Sequence, residues 1–166
     1  MVHEILFETG LAPQRLELEV TETALVRDLN RALGTLRRIK MLGVRIAMDD
    51  FGTGYSSLSN LRAFPFDKIK IDRSFIKSVN VNGQAAAIVR SVLGLSRALG
   101  LPVLAEGVET AAELEFLERE NCHQGQGFLL GRPADIETFG ELVDGNQAAA
   151  DHPVVRLALA KASAAS

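Results

Sequence analysis

The chain has one cysteine, Cys122, among its 166 residues. A lone cysteine builds no internal disulfide and fits a reducing compartment, so a cytoplasmic location is expected. An excess of basic residues is also missing: the net charge is −3 and the pI about 5.6. Binding long nucleic acid needs a basic footprint, so that class is disfavoured. The three histidines, His3, His123 and His152, lie far apart, and Cys122-His123 is a single adjacent pair without zinc spacing. No apolar run approaches the length of a membrane span, and no signal-peptide pattern opens the chain. What is present suffices for a core. Apolar residues make up 47% and mean hydropathy is +0.12, which argues against disorder, at a length that suits one domain.

Five stretches carry strand patterning. Leu16, Leu18 and Val20 alternate with Glu17 and Glu19, a period of two. Val44 to Met48 is a short apolar run ending at Asp49-Asp50. Across 67–72, Lys68 and Lys70 share one face, Ile69 and Ile71 the other. Residues 102–105 lead into Glu106, and 124–130 form the last strand candidate.

Helical stretches alternate with these. Residues 2–9 read as a helix stopped by Gly10. A helix of roughly five turns follows Thr21-Glu22-Thr23, with Leu25, Leu29, Leu33 and Leu36 as its apolar stripe and Gly43 as its end. Its arginines, Arg27, Arg31, Arg37 and Arg38, read as a solvated face. A short helix over 56–63 ends at Pro65, and another over 84–99 carries the stripe Ile88, Val92, Leu95, Leu99 before Gly100 and Pro102. Thr110 and Glu113 have capping-box spacing. Asp135 is the expected N-cap of a final helix over 136–143, and 145–166 is an Ala-rich tail, frayed or disordered, with no assigned function.

This alternation predicts an α/β fold with a parallel sheet. Polar residues end successive strands: Glu19, Asp49, Lys70, Glu106 and Gln126. In a parallel sheet these ends share one rim. A doubly wound sheet gathers only those at its switch point, whereas a barrel gathers them all. Asp49 and Asp50 can serve one site only if the chain turns at Asp50, and Gly52 and Gly54 supply freedom for that turn. A plain turn with solvated aspartates stays open as a reading. So do several roles for Lys70: a surface lysine, a phosphate or water holder, or a Schiff-base nucleophile.

These residues together resemble the EAL domains, bacterial phosphodiesterases that hydrolyse cyclic di-GMP. The resemblance rests on Glu19-Val20-Thr21-Glu22, on the run from Asp49 through Phe51-Gly52-Thr53-Gly54-Tyr55 to Leu58, on Lys68-Ile69-Lys70-Ile71-Asp72 with Phe75-Ile76, on Ala105-Glu106-Gly107-Val108-Glu109, and on Gln126 to Pro133. It implies a (β/α)8 barrel of the TIM type and metal-dependent opening of the cyclic dinucleotide. By resemblance Glu19, Asp49, Asp50 and Glu106 bind two divalent ions, magnesium or manganese. Lys70 holds the attacking water or the phosphate, and Glu106 is a ligand or general base. Gln126 contacts substrate, while Glu22, Gly52, Gly54 and Glu109 steady the Gly-rich loop.

The family's Glu-Ala-Leu segment and a following asparagine, both implied metal ligands, have no counterpart here. Residues 1–144 are therefore expected to cover about the last five strand–helix units of the eight. Such a portion is expected to be inactive alone, with two open strand edges. A homo-oligomer or an upstream regulatory domain is an open partner. The alternative function is a non-catalytic cyclic di-GMP receptor or interaction module.

Overall fold

In the computed structural model, which describes residues 1–26, 28–52 and 58–135, each period-two stretch contains a strand. The chain divides into two units, residues 1–72 with 94–102, and residues 73–93 with 103 onward.

The first unit starts with α1 (Val2–Thr9), ended by Gly10 at φ +65°, a left-handed stop that costs glycine little. A 3-10 turn (Pro13–Arg15) leads into β1 (Glu17–Thr21). Then come α2 (Glu22–Val26), α3 (Leu29–Met41), β2 (Arg45–Phe51), α4 (Leu58–Ala63) and β3 (Lys68–Ile71). Both β1 and β3 pair with β2 in parallel. Parallel neighbours need long crossovers, which the helices supply. The buried heart is Val44, Ile46, Ala47 and Met48 around β2, with Ile69 and Ile71 from β3. In β3, Lys70 is buried as well, so both faces of this strand are covered.

Two expectations change here. The five-turn helix is two helices, because the Asp28 carboxylate accepts the Arg31 N–H at 3.1 Å and caps α3 afresh. Leu29, just after that cap, is 37% exposed and leaves the stripe.

α5 (Arg73–Ile76) opens the second unit, and β4 (Val103–Glu106) pairs in parallel with β5 (Gln124–Gln126). α7 (Ala111–Arg119) joins those strands and carries the expected capping box at Thr110 and Glu113. α6 (Gly83–Leu99) buries Ala85, Val89, Val92, Leu93 and Ser96, while Ile88, Leu95 and Leu99 are only half-buried. Its inward line is thus rotated from the expected stripe. The last strand stops at Gln126, not at 130, because the Leu130 and Gly131 N–H groups both donate to the Gly127 carbonyl and turn the chain. Gly54, the final helix over 136–143 and the tail lie outside the described residues. Among the described residues, no helix is long and apolar enough to cross a membrane.

Candidate functional site

The acidic pair is shaped by a bulge. Along β2 and β3 the pairing runs Ala47 with Lys68 and Met48 with Ile69, then jumps to Phe51 with Ile71. The β2 side thus carries one extra residue, a bulge that re-aims side chains. Asp50 sits in it at φ +53°. That left-handed conformation is strained for most residues and easier for aspartate. A regular strand would send Asp49 and Asp50 to opposite faces. The turn expected at Asp50 occurs at that residue, and Gly52 follows at φ +97°. The Asp49 carboxylate accepts the Asp50 N–H at 3.0 Å, tying the pair together.

Lys70 stands among these acids. Its side chain is 4% exposed, and Nζ lies 2.7 Å from Glu19 Oε1 and 3.1 Å from Asp49 Oδ1. A buried ammonium is costly unless paired, and two carboxylates pair it. A further carboxylate, Asp50, lies beside this pair. Asp50 is held above the usual carboxylate range, first by loss of solvent and then by repulsion from Asp49 and Asp72, with a smaller push from Glu19; Lys70 opposes the shift. Glu19 and Asp49 thus flank the Lys70 ammonium, and Asp50 feels the charges of Asp49, Asp72 and Glu19. Such an oxygen-only, electron-rich donor set fits a hard divalent ion. Among the described residues, no group of three or more His, Cys, Asp or Glu is already arranged to hold a metal, and the Lys70 ammonium is the cation between Glu19 and Asp49.

In the second unit, Glu106 ends β4 and Gln126 ends β5, and the two are register partners. The loop after Glu106 bends at Gly107, φ +71°. The Glu113 carboxylate then accepts the N–H groups of Glu109, at 2.8 Å, and Thr110, at 2.9 Å.

Residues 1–133 match the family model described as the EAL domain. The chain belongs to the EAL domain family. An uncharacterized signaling protein of Caulobacter vibrioides is 61% identical over 139 residues, which is 84% of this chain and 17% of that protein. The bifunctional diguanylate cyclase/cyclic di-GMP phosphodiesterase MucR of Pseudomonas aeruginosa is 47% identical over 136 residues, 82% of this chain and 20% of that protein. The solved PaMucR phosphodiesterase, a c-di-GMP complex, is 46% identical with a TM-score of 0.79, over 83% of this chain and 56% of that one. Klebsiella pneumoniae BlrP1, solved as a manganese/cy-diGMP complex, is 38% identical with a TM-score of 0.75, over 80% of this chain and 34% of that one. The chain thus spans about a fifth of the length of these curated relatives. The EAL fold is of the TIM-barrel type, and the parallel α/β units here are of that class.

Within the EAL chain, Glu19, Asp49, Asp50 and Lys70 come together in the first unit, and Glu106 and Gln126 are neighbours in the second. Glu22, the first residue of α2, is 2% exposed. The Glu109 side chain is exposed, and it is its backbone that is anchored. Asp72 gained no role from the sequence, and Glu113 gained only its place in the capping box. Asp72 lies two positions beyond Lys70, a spacing that keeps a strand's side chains on one face, so period two could have flagged it.

Proposed function

We propose that this EAL chain takes part in metal-dependent hydrolysis of cyclic di-GMP to the linear dinucleotide. The observation that carries the reading is the buried Lys70 ammonium between Glu19 and Asp49, with Asp50 re-aimed beside them by the bulge. Support comes from relatives solved with c-di-GMP and with manganese or calcium. Glu19, Asp49 and Asp50 would hold a divalent ion, and magnesium or manganese suits their oxygens. Such an ion supplies Lewis acidity and a water acidified for attack.

Lys70 offers a desolvated positive charge to the phosphodiester oxygens, where a preset charge is worth more than in water. Asp49 and Glu19 hold its Nζ in place until substrate arrives. In the second unit, Glu106 is assigned proton removal from the attacking water, or metal ligation, and Gln126 a polar contact to substrate. Glu22, Gly52, Gly54 and Glu109 are assigned the steadying of the Gly-rich loop. A cytoplasmic location suits the one thiol, Cys122, which is free and buried.

The test is turnover of cyclic di-GMP by the EAL protein that carries these residues, with manganese and with a chelator. Chelation is expected to stop the reaction. Glu106→Ala is expected to lower kcat by about a hundredfold, the scale of a general acid–base group. Parent-rate turnover in chelator, or by Glu106→Ala, would overturn the mechanism. Tight binding of the dinucleotide without any hydrolysis would return the receptor reading.

A further inference from the structure

The backbone of the loop from Glu106 to Thr110 is held at three points. At the first, Gly107 passes so close to α5 that a Cβ there would lie 2.4 Å from Arg73 Cβ. At the second, Val108 is threaded against the end of β5. Its N–H donates to the Gln126 carbonyl and its carbonyl accepts the Leu129 N–H, both at 3.1 Å. Gly127 makes this approach feasible: a Cβ on it would stand 2.2 Å from the Val108 oxygen and 2.3 Å from its nitrogen. Neither atom belongs to a side chain that can swing away. At the third point, the Glu113 carboxylate, 4% exposed, collects the N–H groups of Glu109 and Thr110.

We propose that this loop is a brace that aligns Glu106 with Gln126, and that Gly127 and Glu113 are its positioning residues. The proposal rests on the reading that Glu106 and Gln126 serve the phosphodiesterase reaction. Glu106 and Gln126 are register partners, and the residues directly following them, Gly107-Val108 and Gly127, are the ones in contact. A substituent at Gly127 therefore has to separate the two strand ends. Separation moves Glu106 away from its task and Gln126 away from the substrate, so kcat and KM change together. Loss of stability alone reduces the folded fraction and leaves KM where it was.

The experiment compares Gly127→Ala, Glu106→Ala and Leu117→Ala in the EAL protein with manganese, each rate expressed per folded molecule. Leu117 is a fully buried residue of α7 and reports destabilisation only. Gly127→Ala is expected to lower kcat by about a hundredfold, the scale of a misplacement near 1 Å, and to raise KM. Leu117→Ala is expected to lower Tm with kcat and KM unchanged. Should Gly127→Ala not fold, Glu113 decides. Glu113→Ala frees two N–H groups and is expected to cost about tenfold in kcat, while Glu113→Gln keeps an acceptor oxygen and restores the rate. A folded Gly127→Ala with parent kcat and KM, or Glu113→Ala matching Glu113→Gln, overturns the brace. If Glu106→Ala leaves turnover untouched, the phosphodiesterase reading fails, and the brace with it.

Discussion

The two ends of the strands in the first unit treat charge differently. At the N-terminal end, charges are matched. Lys68 Nζ lies 2.9 Å from Glu17 Oε1, Arg45 is 3.8 Å from the other oxygen, and Asp67 pairs with Lys40 while accepting the Ile46 N–H at 2.8 Å. At the C-terminal end, Lys70 pairs with both Glu19 and Asp49, and Asp50 is pushed up by loss of solvent and by repulsion from Asp49 and Asp72. The same residue types thus do opposite things. Matched pairs hold β1, β2 and β3 in register, as expected for the stability face of a barrel. The C-terminal end crowds carboxylates together, and the repulsion felt by Asp50 is the kind of perturbation that clusters at functional sites.

The contrast is broken most forcefully at Lys70. Lys70→Met keeps the volume and removes the charge, and turnover of cyclic di-GMP is expected to fall by about a hundredfold or more, with far less change in substrate affinity. Steady-state kinetics check this, and parent-rate turnover would take Lys70 out of the mechanism. Asp49→Ala comes next. Calorimetric titration with manganese is expected to show affinity reduced by about tenfold or more, since a carboxylate supplies charge as well as geometry. Unchanged titration would leave Asp49 as the Lys70 partner alone.

The N-terminal end supplies the opposite expectation. Asp67→Asn weakens the Lys40 pair and the hydrogen bond to Ile46, and denaturant unfolding is expected to show a loss of about 1 kcal/mol with kcat unchanged. A change in kcat at constant folded fraction would erase the distinction between the ends. The smallest effect belongs to Arg45→Ala. Its guanidinium is half exposed and loosely placed near Glu17, so stability should shift by less than about 0.5 kcal/mol. A larger loss would show that Arg45 and Lys68 act on Glu17 as a network.

Local pattern determined much of this in advance. Period two located β1 and β3, and short apolar runs located β2 and β4, with Glu19, Asp49, Lys70 and Glu106 at or near their ends, because alternation is a property of the extended chain itself. Gly10, Gly43 and Gly100 end helices at positive φ, as their lack of a Cβ allows. Thr110 and Glu113 cap α7 because both partners lie within four residues of each other. The rest depended on neighbours that the chain order does not specify. Lys70 reads on its own as a surface lysine, and only pairing of β1 and β3 with β2 buries it between Glu19 and Asp49. A turn at Asp50 is legible from the acidic pair and Gly52, but that it is a bulge depends on the register between β2 and β3. β5 ends at Gln126 because the chain turns there through the Leu130 and Gly131 N–H bonds to the Gly127 carbonyl, and Gly127 lies against Val108 from a different segment. Spacing along the chain sets which face a residue can take, while packing between segments sets what meets it there.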